Sequence, residues 1–432
     1  MNILLVNPPN CGRSIPEERY GITSLKQIFR GEPLALEELA GNLLQHSVRI
    51  VDLKAEPGGL AAELTDFYPD VVGITGVTCE ANTMLNIAAQ VKESCRANVV
   101  VGGIHASSDP AFFNRPVVDY IVVGIGKKSF AGLVTALEKG TEQEEIPPGV
   151  LRTRPGTQLD RPAIRAGTDD LVMDNPPAYQ LVSRYRSHYI LEKLGINMGF
   201  VASAYGCPHR CSFCCIKGQT GGSYLTKSID VVLRDIQLLP DVPVIRLVDA
   251  NTFGNPQRAM RLCRAIGEAG ITKQYLADIR SDTVVRHPEM LRAWKEIGLR
   301  AVIIGFEEVD DRSLAAMNKA NQVAKNTEAV RILHDIGITI VGDFILSPDY
   351  DEPDFARLSR YLSETRIDLP MVTVMTPLPG TALYHEQQHR IINHNLDYYT
   401  LTNAVIPTRL DEKKFYTLYA EVLADSHDNA QL

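Results

Sequence analysis

The chain has 432 residues, 45% hydrophobic and 22% charged, enough for two or three domains each with its own core. A net charge of −8 without any polybasic block argues against a general nucleic-acid binder, and apolar runs such as Ala301–Phe306 are too short to cross a bilayer. Met1–Asn7 lacks a basic n-region and cleavage site, so it reads as a first strand, and eight cysteines without a disulfide framework point to a reducing cytoplasm.

Residues 1–135 alternate short apolar runs with helical patterns. Strands are predicted at Ile3–Asn7, Val48–Leu53, Val71–Thr75, Val99–Gly103 and Tyr120–Gly124. Between them Leu36, Leu39, Ala40, Leu43 and Leu44 fall at helical spacing, as do Leu85, Ala88 and Val91. Near-continuously apolar strands separated by helices predict a doubly wound, flavodoxin-like parallel sheet, whose ligands sit beyond the strands' carboxyl ends. Residues 136–198 read as a meandering connector with a short hairpin, broken at Glu142–Pro148 and at Asp174–Pro177.

A second βα series follows over 199–380, with strands predicted at Gly199–Tyr205, Val244–Ala250, Gln274–Ile279, Arg300–Glu307, Ile338–Leu346 and Met371–Met375. Six such units make a partial barrel, and barrel enzymes assemble their sites at the strands' carboxyl ends. The tail, 381–432, is predicted to be helical over 412–424 and to close the bottom or side of the barrel.

Directly after the first barrel strand comes Gly206-Cys-Pro-His-Arg-Cys-Ser-Phe-Cys214, a CxxxCxxC run. Iron–sulfur clusters are normally held by four cysteines, so three thiolates leave one iron open to a small molecule. A zinc site or plain reduced thiols are the alternatives, but zinc usually requires a second Cys/His pair, and the sequence has none at the usual spacing.

The run resembles the signature of the radical S-adenosylmethionine (SAM) superfamily. The resemblance makes Cys207, Cys211 and Cys214 the ligands of a [4Fe-4S] cluster and places Phe213 beside SAM. It further implies that Asp249 and Asn251 meet the methionine amine, that Arg280 binds the carboxylate bidentately, and that Glu307 takes the ribose or amine. Backbone around Thr376 would read adenine. A surface salt bridge or strand-end cap is the bland alternative for each singly. The turn Ser347–Glu352 departs from the family pattern and receives no role.

The N-terminal series resembles the cobalamin-binding domain of class B radical SAM enzymes, through Asn7-Pro8-Pro9, Leu34–Leu44, Thr75–Thr78, Val101–Ala106 and Asp119–Gly124. The cobalamin contacts so implied are Asn7, Pro8, Thr75, Gly76, Val77, Thr78, Gly102, Gly103, His105, Gly124 and Gly126. Glycines at 102 and 103 let backbone approach a flat ring without a Cβ in the way. In the family an acidic residue follows the fifth strand, whereas here the sequence is Gly124-Ile-Gly-Lys-Lys128. No Asp-x-His-x-x-Gly supplies an axial histidine. His105 stands in another frame, suited to a polar contact or to capping the core, and the loop Val77-Thr78-Cys79 is the expected cover for the lower corrin face. A flavodoxin-like domain with no ligand is the alternative.

Together these features imply a cobalamin-dependent radical SAM methyltransferase acting on an unactivated carbon of a small molecule or a protein side chain, a glutamine C-methylase among them. The implied cofactors are the [4Fe-4S] cluster, SAM and cobalamin, and the implied partner an electron donor such as ferredoxin or flavodoxin. No nucleic-acid or membrane partner is expected. The rival readings are a cyclase or rearrangement enzyme without methyl transfer, a methylthiotransferase-like enzyme, and a cofactor carrier without turnover.

Overall fold

The structure, a computed structural model, describes residues 1–24, 31–143, 146–159, 164, 166–171, 175–191 and 196–428. Its first sheet contains β1 (Asn2–Asn7), β2 (Ser47–Asp52), β3 (Val71–Ile74), β4 (Asn98–Val101), β5 (Tyr120–Val122) and β6 (Val150–Arg152), in the order β2-β1-β3-β4-β5-β6. The first five strands are parallel, and β6 adds antiparallel to β5. The first sheet therefore runs past residue 135 into the predicted connector.

Ile3, Leu4, Leu5 and Val6 of β1 are fully buried. Alternate residues point to opposite faces of a strand, so Leu4 and Val6 enter one core while Ile3 and Leu5 enter another. The second core is continuous with that of the barrel, through Tyr179, Val201 and Phe200. That shared core fixes one domain against the other.

The connector carries the expected hairpin, β7 (Ile190–Leu191) against β8 (Ile196–Val201). Its turn, 192–195, and Asp174 of the Asp174–Pro177 break lie outside the described residues, as do Glu144 and Glu145 of the other break. Beyond β8 come β9 (Ala204–Gly206), β10 (Tyr224–Thr226), β11 (Val244–Leu247), β12 (Gln274–Ile279), β13 (Leu299–Glu307), β14 (Thr339–Leu346) and β15 (Leu369–Val374). Six parallel strands, β8 and β11 to β15 in sequence order, form the partial barrel.

One predicted strand is corrected. Gly199–Tyr205 is not continuous: β8 ends at Val201, and β9 leaves the sheet to pair antiparallel with β10. The cause is Asp249, whose Oδ1 accepts the backbone N–H of both Ser203 and Ala204, at 2.7 and 2.8 Å, taking them out of the ladder.

Helices cover the outer face. Pro256–Glu268 starts at Asn255, whose side chain accepts from Arg258 N, and Glu352–Thr365 starts with an Asp351/Asp354 capping box. Each such cap contributes about 1 kcal/mol. Trp294, wholly buried, stacks edge-on to Phe253 and Tyr275 and donates Nε1–H to Ala259 O at 3.1 Å.

The C-terminal helix Glu412–Asp428 packs against the last strand, Tyr419 donating to Val372 O at 2.6 Å. The segment before it does more than close the barrel. Asn403 accepts from Ile15 N and donates to Arg13 O, and Asn82 donates to Asn395 and Asp397, so the tail also ties down the first domain. Among the described residues no helix is long and apolar enough to cross a membrane.

Candidate active site between the two sheets

The cysteine loop follows β9 and is braced from three sides. Ser212 N donates to Met317 O at 2.9 Å, Leu383 N to Ser212 O at 2.9 Å, and Asn318 Nδ2 to Arg210 O at 2.8 Å. Cys207, Cys211, Phe213 and Cys214 are all half-buried. Burial pushes the Cys214 thiol up to about 12, and thiolates at 215, 211 and 207 add to the rise, so these sulfurs lie close enough to repel one another when ionised. Such a loop is a poor home for bare thiolates and a good one for thiolates bonded to a cation. Among the described residues no three His, Cys, Asp or Glu side chains gather around one point as ligands of a single ion. In an iron–sulfur cluster each thiolate takes a different iron, and three soft sulfurs on one loop fit that requirement.

Above the sheet's concave side, alternation separates two sets of residues. Ile245, Leu247, Ala277, Val302, Ile304, Phe306, Ile340, Phe344, Val372 and Val374 are buried towards the helices. The alternating partners Arg246, Asp278, Gly305, Asp343, Met371, Thr373 and Met375 are only partly covered and line the open face.

At the carboxyl end of β13 the register slips between Gly305 and Glu307, and Glu307 adopts φ +65°. A left-handed non-glycine residue costs about 1 kcal/mol or more and persists where surroundings over-determine it. Here the fixing contact is an ion pair between Glu307 and Lys319, both buried. The pair folds over Gly305, where an added Cβ would stand 2.2 Å from Glu307 Oε1. Lys319 itself sits between two more left-handed residues, Asn318 (φ +51°) and Ala320 (φ +52°), the same segment that braces the cysteine loop.

Arg280, also buried, donates Nε–H to Asp282 at 2.9 Å and Nη2–H to Lys319 O at 2.8 Å. Its charge and that of Lys319 favour ionisation of Cys211 against the burial that raises it. Asn251 is buried with both amide atoms unpaired, beside His209, Thr283 and Arg286 on the wall of a cavity of about 290 Å³. An unpaired buried amide of this kind is fitted to a ligand.

One SAM-site expectation changes. Asp249 has both oxygens engaged, Oδ2 accepting from Ser203 Oγ at 2.7 Å, so it shapes the loop and is not free for an amine. Thr376 Oγ1 donates to Val374 O at 3.0 Å, which leaves only its backbone for a ligand. Sequence reasoning missed Lys319, Asp343, Asp278 and Arg246. Their signal was a single charged residue within an otherwise largely apolar strand, and for Lys319 none.

In the first domain, Thr75, Gly102, Gly103, Gly124 and Gly126 line one cavity of about 100 Å³ at the carboxyl ends of the strands. Gly103 has φ +95°, and a Cβ there would meet Thr75 Oγ1 at 2.7 Å and Gly76 O at 2.8 Å. Gly76, Val77 and Thr78 are not among the lining residues: Gly76 packs against Gly103, and Val77 is turned outward, 47% exposed. Asn7 donates to Asp52 at 2.8 Å and, with Pro8, ends β1.

His105 is corrected: it does not line the cavity. Its ring is fully buried, edge-on to Phe112 and Phe113, with neither nitrogen bonded, and burial lowers its pKa to about 4. It is a core residue, not a cobalamin contact.

The departure at Gly124-Ile-Gly-Lys127 also finds its reason. Lys127 lines the cavity beside Glu38, 3.5 Å from its Oε1. The opposite wall comes from the barrel: Tyr205 and Gln219, on either side of the cysteine loop.

Residues 201–362 match the radical SAM superfamily and residues 26–134 the B12 binding domain. The hopanoid C-3 methylase of Methylococcus capsulatus is 28% identical over 399 residues, spanning 90% of this chain and 75% of that protein. An uncharacterized methyltransferase of Pyrococcus horikoshii is 29% identical over 429 residues, spanning 94% and 88%. The solved radical SAM methyltransferase TsrM of Kitasatospora setae, with cobalamin and a [4Fe-4S] cluster bound, shares the fold with a TM-score of 0.72 at 16% identity, covering 100% of this chain and 91% of its own.

Proposed function

We propose that this chain, which belongs to the radical SAM superfamily and carries a B12 binding domain ahead of its barrel, is a cobalamin-dependent methyltransferase of an unactivated carbon. The observation that carries the reading is the juxtaposition of a three-cysteine loop at the barrel mouth with a glycine-lined cavity at the strand ends of the first sheet. When bound, the cluster and SAM supply hydrogen abstraction from an unreactive carbon, and cobalamin supplies the methyl group.

The chain's own residues bind, orient and exclude water. Cys207, Cys211 and Cys214 hold three irons. Arg280 meets the SAM carboxylate, the buried Asn251 amide meets the amine, and Glu307, fixed by Lys319, faces the ribose. Phe213 packs beside SAM, and backbone near Thr376 reads adenine. In the first domain Thr75, Gly76, Val77, Thr78, Gly102, Gly103, Gly124 and Gly126, with the β1 end at Asn7 and Pro8, cradle cobalamin. The substrate is a small molecule, and a ferredoxin or flavodoxin supplies electrons.

The test is anaerobic reconstitution with iron, sulfide, hydroxocobalamin and SAM. Wild-type protein should release 5′-deoxyadenosine, and Cys207→Ala, Cys211→Ala and Cys214→Ala should each lose that release together with the iron. Normal release from any of the three would overturn the cluster assignment. A substrate product without added CH₂ would turn the reading towards cyclisation or rearrangement.

A further inference from the structure

The far wall of the cobalamin cavity belongs to the other domain, and it is made by the two flanks of the cysteine loop. Tyr205 stands two residues before Cys207, and Gln219 five residues after Cys214. Gly124 lies against Gln219 across this boundary, where an added Cβ would stand at ordinary contact distance, 3.6 Å, from its carbonyl oxygen. At the corner where the two domains meet lies Glu38, from the helix Leu34–Gly41 of the first domain.

Glu38 Oε1 accepts from Tyr205 Oη at 2.6 Å and from Lys227 Nζ at 2.7 Å, with Lys127 Nζ at 3.5 Å. Both lysines also lie over the Tyr205 ring, at 4.9 and 5.6 Å from its centroid. All three charged groups are buried, and Lys227 reaches on to Asp235 at 3.4 Å. Burial alone would raise the Glu38 carboxyl, but Lys227, Lys127 and the Tyr205 hydroxyl outweigh it and hold it near about 2. Glu38 is therefore a fixed anion that bonds the first domain to the residue leading into Cys207.

We propose that Glu38, through Tyr205, makes occupancy of the glycine-lined cavity and assembly of the cysteine loop mutually dependent, so that cobalamin and the iron–sulfur cluster stabilise each other's binding. The inference rests on the cofactor reading given above. A group that fills the cavity fixes Tyr205 and Gln219 and so both ends of the loop. A loop ordered by iron completes the wall that the cavity's occupant needs. Coupling between two binding sites is reciprocal by thermodynamic necessity, and typical couplings span about 5- to 150-fold. Glu38 and Tyr205 both line the cavity and would touch its occupant, so the coupling is read as the ratio of each protein's own affinities with and without the cluster, not as affinity alone.

The experiment measures hydroxocobalamin affinity anaerobically, in cluster-free and in cluster-reconstituted protein, and the rate at which a ferrous chelator strips iron with and without hydroxocobalamin. Wild-type protein should bind hydroxocobalamin about 10-fold tighter once reconstituted, and should lose iron measurably more slowly when loaded. Glu38→Gln and Tyr205→Phe should still bind each cofactor, yet bring both ratios below about 2. Tyr205→Phe removes one hydroxyl and decides the matter if Glu38→Gln does not fold. Equal affinities in wild-type protein, or undiminished coupling in Tyr205→Phe, would overturn the linkage while leaving the cofactor assignment standing. Failure of wild-type protein to retain either cofactor would overturn that assignment instead.

Discussion

Asp343 offers a direct test of how the open face of the barrel is charged. It lies level with Gly305 in the sheet register, and among the described residues its carboxyl has no hydrogen bond or ion pair. Burial, then the nearby Glu307 and Asp278, push it from an ordinary 3.8 to about 8, against the opposing pull of Arg246 and Lys319. A carboxyl raised in the folded state keeps its proton there while the unfolded chain gives it up. Its contribution is therefore complete below 3.8 and is lost as pH climbs towards about 8. At about 1.4 kcal/mol per pH unit, the span from pH 5.5 to 8 should cost the ligand-free protein about 3 kcal/mol, as an upper limit. Asp343→Asn copies the neutral acid and removes that slope. Urea unfolding of the barrel should show the variant already more stable at pH 5.5, by up to about 2 kcal/mol, with its advantage widening by about 3 kcal/mol at pH 8. Parallel pH profiles would refute the placement of an unpaired carboxyl on this face.

Two further variants test the same geometry. Lys319→Met leaves Glu307 buried, left-handed and unpaired; breaking a buried pair from one side costs about 3–5 kcal/mol, so SAM affinity by calorimetry should fall at least ~10-fold with the iron content retained. Unchanged affinity would remove the pair from the SAM site. His105→Phe should leave the absorption spectrum of bound cobalamin unchanged, because the ring lies between Phe112 and Phe113 and not at the cavity. The same variant should tolerate acid better: a buried neutral histidine takes stability away as pH falls from 6.5 towards about 4. A spectral change on substitution would restore His105 as a cobalamin contact.

Much of this was legible in the sequence because its signals are local. The predicted strand Gln274–Ile279 coincides with the observed one, its largely apolar run ending at Arg280. The cysteine loop is a contiguous motif and needs no tertiary information. What stayed hidden depends on pairing across the fold. Asp249 sits where a ligand acid would sit, yet two backbone N–H groups from another strand claim it. His105 stands beside Gly102-Gly103 in sequence, but the helix turn that starts at Ile104 carries its ring into the aromatic core. Lys319 lies in no periodic segment at all and acquires meaning only when two left-handed residues aim it at Glu307.

The same logic explains why the basic Gly124-Ile-Gly-Lys127 turn is compatible with a cofactor cavity. Read alone, a lysine where the family places an acid reverses the local charge. In the fold the acid comes from elsewhere: Glu38 stands 3.5 Å from Lys127 and at hydrogen-bond distance from Lys227. An isolated buried ammonium would be costly to keep charged, so Lys127 requires a partner anion in any arrangement that buries it. Drawing that anion from a helix that also bonds Tyr205 turns a local substitution into a contact between domains. One carboxylate thus partners the charge at position 127 and bonds the tyrosine that leads into the cysteine loop.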